Sequence, residues 1–296
     1  MHEPRLDFVH CLDGQGLHRM AFWEWGERDN PRVVVCAHGL TRQGRDFDTL
    51  AQALAGDCRV VCPDVVGRGR SDWLADPMGY QVPSYVADMV SLLARLGASQ
   101  VDWVGTSMGG LIGMGLASLR DRDGRSLVRR LLLNDIGPTI NAGAVQRIGA
   151  YLGQPRRHAS LDEAADYLWS ISSGFGPHTR AQWLALTRPQ LRAVKDEQGE
   201  GYVSAYDPRI GLPFKAVTPE MAAAGEALLW QRYDTLDCPT LLVRGAESDL
   251  LSRDTALAMT QRGPRARLVE IPGVGHAPTF VPDDQVALVR EFLGGP

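Results

Sequence analysis

The sequence predicts a doubly wound α/β domain with a mostly parallel sheet and a helical insertion. Three observations carry this. Short runs, apolar throughout and rich in valine, recur along the 296 residues. Helical patterns separate most of them. One stretch, about 138–235, holds helical patterns and no convincing strand run. Runs apolar on both faces suit strands of a parallel sheet covered on both sides. Their alternation with helices implies crossover connections and a doubly wound topology.

The elements follow in order. Residues 6–13 and 17–25 alternate as two strands around a DGQG turn. RVVVCAHG (32–39), RVVCPDVVG (59–67) and VDWVGTS (101–107) are strands, the last leading into a helix, LIGMGLASLR (111–120). VRRLLLNDIG (128–137), PTLLVRG (239–245) and ARLVEIPG (266–273) complete the sheet. Between them, DFDTLAQALAG (46–56) is helical. So is SYVADMVSLLARLG (84–97), with Val86, Met89, Val90, Leu93 and Leu96 on one face. Ser84 is expected to cap its start and Gly97 to end it. DDQVALVREFLGG (283–295) is the last helix. In the insertion, residues 162–171, 180–187 and 220–230 give the clearest helical patterns. The expected division is a core of 1–137 and 236–296 with a lid of 138–235. A segment leaving and re-entering at the carboxyl ends of adjacent strands lies over the ligand crevice of an open sheet.

Composition bounds the function. The formal net charge is −4, with the two signs interspersed. No Lys/Arg run suggests a nucleic-acid groove or a membrane patch. No apolar stretch approaches the roughly 20 residues of a membrane span. The start, MHEPRLDFVHCLDGQG, lacks the apolar core of a signal peptide. Cys11, Cys36, Cys58, Cys62 and Cys238 are odd in number and without zinc spacing, so they are expected to be reduced and mostly buried. A cytoplasmic protein is the expectation. The insertion carries ten Lys/Arg and ten Asp/Glu, so no charge bias favours a strongly charged substrate.

Gly105-Thr106-Ser107-Met108-Gly109 raises the chemical question, because the glycines weaken regular structure unless the backbone needs them. A strand precedes and a helix follows. That context suits a sharp turn presenting Ser107 as a nucleophile, with the glycines letting strand and helix approach. The alternative is a structural turn. A serine nucleophile needs a base. Of seven histidines, only His38 and His276 fall on loops at the carboxyl edge of the predicted sheet. The chain order of serine, acid and histidine favours His276. The base needs a carboxylate to fix its tautomer. Asp249 is the first choice, with Asp135 second and Glu247 also following a strand. The Met108 N–H, at a helix N-terminus, and the Leu40 N–H are expected to hold an oxyanion.

These residues resemble the α/β-hydrolase superfamily and, within it, the lid-bearing serine hydrolases. The resemblance rests on His38-Gly39-Leu40, the stretch Pro63 to Asp72, Gly105 to Gly110, Gly245 with Asp249, and Gly275-His276. It covers roughly 20–137 and 236–296. It implies Ser107, Asp249 and His276 as nucleophile, acid and base, and Leu40 and Met108 as oxyanion donors. The interval from Gly245 to Asp249 is one residue longer than the commonest family pattern, which keeps Asp135 as the second candidate. Dehalogenases and epoxide hydrolases of the superfamily use an aspartate nucleophile, and Ser107 argues against both. The expected activity is carboxylic ester hydrolysis through an acyl-enzyme, on a small-molecule substrate and without metal or organic cofactor. Cleavage of C–C bonds in ring-cleavage products is the alternative, and a ligand receptor on the same fold a further one. The ten aromatic residues of the insertion mostly build its own core, with an apolar acyl pocket expected beneath it. Trp169, Trp183 and His38 are the expected substrate contacts.

Overall fold

The structure is a computed structural model describing residues 3–154, 156–197 and 199–294. His2 and the last residue of the helix expected over 283–295 lie outside them. The chain opens with an antiparallel hairpin, β1 (Arg5–Asp13) and β2 (Gly16–Trp25). Alternation follows: β3 (Val33–Ala37), α1 (Asp48–Leu54), β4 (Arg59–Pro63), α2 (Val82–Leu96), β5 (Val101–Thr106), α3 (Met108–Ala117) and β6 (Val128–Asn134). The next segment carries α4 (Ala142–Tyr151), β7 (Arg157–His158), α5 (Leu161–Ser172), α6 (Arg180–Thr187), β8 (Leu191–Asp196), β9 (Gly199–Ser204), α7 (Gly211–Lys215) and α8 (Pro219–Asp234). It ends with β10 (Thr240–Gly245), α9 (Arg253–Gln261), β11 (Arg267–Ile271) and α10 (Asp283–Gly294).

Eight strands form one sheet in the order β1-β2-β4-β3-β5-β6-β10-β11. β2 runs antiparallel to both its neighbours, and the pairs from β4–β3 to β10–β11 are parallel. Successive side chains of β3 point to opposite faces, and all five are buried. Val35 joins a core with Trp103, Ile112 and Met89 on the α2/α3 face, whereas Val34 and Cys36 join Leu50, Leu54 and Val289 on the α1/α10 face. Cover on both faces is why these strands read as unbroken apolar runs. All five cysteines are buried and free. Among the described residues no helix is long and apolar enough to cross a membrane.

From β3 the chain moves one way to β4, then returns to place β5 on the other side. The order therefore reverses between β3 and β5, and their carboxyl-end loops meet there. That is where open α/β sheets bind ligands. Several predicted strands overrun the observed ones, most of all at 32–39, 59–67 and 128–137. The extra residues are loop, and they include His38, Asp64 and Asp135.

Two expectations need correction. Ser84 does not cap α2. The helix begins at Val82 after the extended Gln81, with Pro83 in its first turn, where a missing N–H costs nothing. Gly97 does end it, at φ 67°. The insertion is also not purely helical. β7, β9 and β8 make a separate antiparallel sheet, paired from Leu191↔Ser204 to Asp196↔Gly199. β7 is two residues long, and in β8 only Leu191 and Val194 are partly buried, so no apolar alternation marks either. Main-chain bonds fasten the insertion to the core. Gly69 N–H donates to Ala205 O at 2.8 Å, Asp207 N–H to Gly67 O at 2.8 Å, and Gly275 N–H to Gly174 O at 2.6 Å.

Candidate active site

Ser107 sits between β5 and α3 at φ 52° and ψ −116°, a conformation that L-residues rarely adopt. Ser107 N–H donates to Asn134 O of β6 at 2.9 Å, and Ser107 O accepts from Gly110 N–H at 2.8 Å. The turn is therefore held from both sides. The flanking glycines are there for space. A Cβ on Gly109 would lie 2.0 Å from Ala37 O, and one on Gly105 would lie 2.4 Å from Gly109 O. Both clashes are with backbone, which has no rotamer to yield. The pentapeptide thus encodes a strand and a helix packed too closely for any side chain at these two positions.

His276 lies on the loop between β11 and α10. Its Nε2 is 3.0 Å from Ser107 Oγ, and its Nδ1 is 2.8 Å from a carboxylate oxygen of Asp135. Asp135 follows the last residue of β6 and is fully buried. Its other oxygen accepts from Gly245 N–H at 2.9 Å, and Ser248 Oγ donates to the oxygen that His276 also reaches. The buried carboxylate is satisfied at every side by donors from the β10 loop and His276.

Asp249, the acid favoured by the sequence, is not beside His276. Its carboxylate faces outward and takes two bonds from Arg147, at 2.8 and 2.9 Å, with both side chains about half exposed. The cause is the fold of the loop after β10. Ala246 N–H bonds Ile271 O, Glu247 N–H bonds Val274 O and Ser248 N–H bonds Gly245 O. This tight course turns Ser248, not Asp249, toward the Asp135 carboxylate that His276 reaches. Glu247 is exposed at the surface. Ser248 was missed by sequence reasoning, and only its position beside two candidate acids could have flagged it.

The loop after β3 approaches the serine. A Cβ added to Gly39 would lie 3.8 Å from Ser107 Cβ, so the backbone entering Leu40 runs beside Ser107. Met108 opens α3 as its first residue, so its N–H has no intrahelical acceptor. His38 is fully buried, with Nδ1 2.7 Å from Gly39 O and Nε2 accepting from Val65 N–H at 2.9 Å. Both ring nitrogens are spent on backbone. His38 borders the cleft yet has no polar atom left for a substrate, so the expected contact gives way to a support for the loop. Burial holds its pKa down to about 3.

That shift carries a stability consequence. Folded His38 stays neutral to about pH 3, whereas unfolded it takes a proton near 6.5. Its contribution is complete above about pH 6.5 and is lost as pH falls toward 3, at up to roughly 1.4 kcal/mol per pH unit. Thermal unfolding between pH 7 and 4 is expected to show a steeper loss of Tm for the native chain than for His38→Gln. Parallel slopes would refute the assignment.

Arg68 backs the same loop. Its side chain is fully buried and has no carboxylate within ion-pair distance among the described residues. Its Nε donates to Leu40 O at 2.8 Å, and one terminal nitrogen donates to Val66 O at 2.7 Å and Tyr85 Oη at 3.0 Å. The other terminal nitrogen lies 3.6 Å from Met108 Sδ. Tyr80 and Tyr85 stack on the guanidinium, with ring centres 5.7 and 5.1 Å away. One cation thus touches both Leu40 and Met108.

Above the serine lies a cleft between the core and the insertion. The core lines it with Leu40, Ser107 and His276, and the insertion with Ile148, Tyr151, Leu168, Phe175 and Tyr206. Burial raises the pKa of both phenols, Tyr151 and Tyr206. Trp169 and Trp183 do not line it. Trp183 is buried, donates from Nε1 to Ala165 O at 2.7 Å and meets Trp169 edge-on at 5.0 Å. They pack a small core joining α5 to α6 and Val281, the commonest fate of aromatic side chains in a segment this size.

Residues 34–288 match the sequence pattern described as the alpha/beta hydrolase family. The chain is 56% identical over 292 residues to the 3-hydroxybutyrate-oligomer hydrolase of Cupriavidus necator, covering 99% of this chain and 98% of the relative. It is 30% identical over 266 residues to Lipase LipV of Mycobacterium tuberculosis, covering 89% and 94%. An alpha/beta hydrolase of Novosphingobium aromaticivorans superposes with a TM-score of 0.82 at 35% identity, covering 99% of both chains. The strained serine at the switch point and the eight-stranded, mostly parallel sheet agree with that match, and the chain belongs to the alpha/beta hydrolase family.

Proposed function

We propose that this enzyme hydrolyses the ester bonds of short linear oligoesters of hydroxy acids, 3-hydroxybutyrate among them, through an acyl-enzyme on Ser107. The observation that carries the reading is the continuous bonded chain from Ser107 Oγ through His276 to Asp135 at the floor of the cleft. Near-full-length identity of 56% to the oligomer hydrolase of C. necator supports the substrate class.

Asp135 accepts the Nδ1–H of His276 and leaves Nε2 as the base. His276 takes the Ser107 proton as Oγ attacks the ester carbonyl. The N–H groups of Leu40 and Met108 hold the oxyanion. The tetrahedral intermediate collapses, and His276 protonates the departing ester oxygen, which becomes the free hydroxyl of the next unit. A water then loses a proton to His276 and attacks the acyl-enzyme, and His276 returns that proton to Ser107 Oγ as the acid leaves. Residues 138–235 act as a lid whose Leu168, Phe175 and Ile148 cover the acyl chain, and whose small sheet and straps keep it seated. The apolar lining suits short acyl units and excludes bulk water from the intermediate.

The test is turnover of p-nitrophenyl esters from acetate to decanoate and of the 3-hydroxybutyrate dimer and trimer, by the native chain and Ser107→Ala. The native chain is expected to prefer short acyl groups and to cleave both oligomers. Ser107→Ala is expected to lose at least about 10⁴-fold in kcat. Equal turnover by both proteins removes Ser107 from the reaction. Turnover of dienolic ketones and not of esters supports C–C cleavage instead.

A further inference from the structure

Hydroxy-acid oligoesters differ from ordinary lipid esters in one respect: each chain ends in a free carboxylate. The cleft borders two arginines, Arg42 and Arg147. Arg42 is committed to the fold. It bonds both oxygens of Asp46 at 2.6 and 2.8 Å, reaches Leu186 O, stacks over Phe175 and is mostly buried. Its charge is neutralised within the cleft wall.

Arg147 differs on each count. It lies on α4 beside Ile148 and one turn before Tyr151, so this helix presents a cation, an alkyl group and a phenol to the cleft. Its guanidinium is about half exposed. Its acidic partner, Asp249, does not line the cleft, and the planar fork is occupied by a carboxylate already. An exposed pair of this kind is worth roughly 1 kcal/mol or less. A second carboxylate entering the cleft can therefore displace Asp249 at low cost and inherit the same two-point geometry. α4 is held in place independently of that pair, by Asn141, which caps the helix and bonds Leu250 O through its own N–H.

We propose that Arg147 is the subsite for the free carboxylate of the substrate, with Asp249 as an internal stand-in that the substrate displaces. This rests on the oligoester reading for its natural ligand. The enzyme thereby prefers anionic esters whose carboxylate reaches the cleft mouth over their neutral analogues.

Two measurements test it. The first is the ratio of kcat/KM for the 3-hydroxybutyrate dimer to that for its methyl ester, in which a methyl group caps the carboxylate, with cleavage of the internal ester bond followed in both. Arg147→Gln is expected to lower this ratio roughly tenfold, and Asp249→Asn to raise it, since the guanidinium is then free. The second is inhibition of p-nitrophenyl butyrate hydrolysis by 3-hydroxybutyrate against its methyl ester. Arg147→Gln is expected to raise Ki for the acid alone by a similar factor. An unchanged ratio and an unchanged Ki in Arg147→Gln overturn the proposal, as does an equal loss for acid and methyl ester. A native chain that leaves the dimer intact overturns the oligoester reading, while the inhibition arm still decides on Arg147.

Discussion

Asp135→Asn is expected to lower kcat by about 10⁴-fold, whereas Asp249→Asn costs less than about tenfold on a neutral ester. The carboxylate of Asp135 accepts from His276, Gly245 N–H and Ser248 Oγ. An amide has one acceptor oxygen to offer these donors. Its NH₂ group, turned toward Nδ1, would favour the histidine tautomer that carries the proton on Nε2, and that tautomer cannot take the proton of Ser107. Geometry is preserved and the base is lost. Asp249 lies outside this chain of bonds, so its removal frees Arg147 and leaves His276 untouched. The measurement is kcat on p-nitrophenyl butyrate with circular dichroism to show that both variants fold. A large loss in Asp249→Asn together with a small one in Asp135→Asn would reverse the assignment.

The second large effect is expected at Arg68. Arg68→Met is expected to lower kcat by roughly 10²–10³, the range for loss of an oxyanion donor, and to lower Tm. Without the guanidinium, the buried oxygens of Leu40 and Val66 lose their donor, at about 1–3 kcal/mol for each unsatisfied group. The loop carrying the Leu40 N–H then has no brace on its carbonyl side. The buried positive charge beside the proposed oxyanion site also disappears, and charge in such a low-dielectric site acts strongly on a developing anion. Arg68→Lys keeps a charge but not the fork, so it is expected to recover stability more than turnover. The decisive readout is kcat with acetate as acyl group, measured well below the Tm of each variant. A lowered Tm with unchanged kcat would assign Arg68 to stability alone.

Much of the core was legible because its determinants are local. Val33 to Ala37 read as a strand covered on both faces since every residue there is apolar, and the structure buries all five. Gly97 read as a helix end, and it adopts the left-handed conformation. The small sheet of the insertion was not legible. Its pairing is between residues such as Leu191 and Ser204 that are only partly buried, so hydrogen bonding rather than burial defines it, and hydropathy carries no trace of that.

The sequence by itself determined the family, the serine turn and the histidine that the structure places beside it. Ser107 is constrained by neighbours one to three residues away, and the glycines at 105 and 109 are the direct imprint of a backbone contact. Only the tertiary structure decided which carboxylate stands beside His276. Asp135 and Asp249 both follow strands of the same edge, and their order in the chain suits a triad equally. The choice depends on how the loop after β10 turns, through bonds from Ala246 and Glu247 to residues 271 and 274. The same holds for His38, Trp169 and Trp183. Whether a ring faces a substrate or its own core depends on packing across elements far apart in sequence, and residue type alone does not encode it.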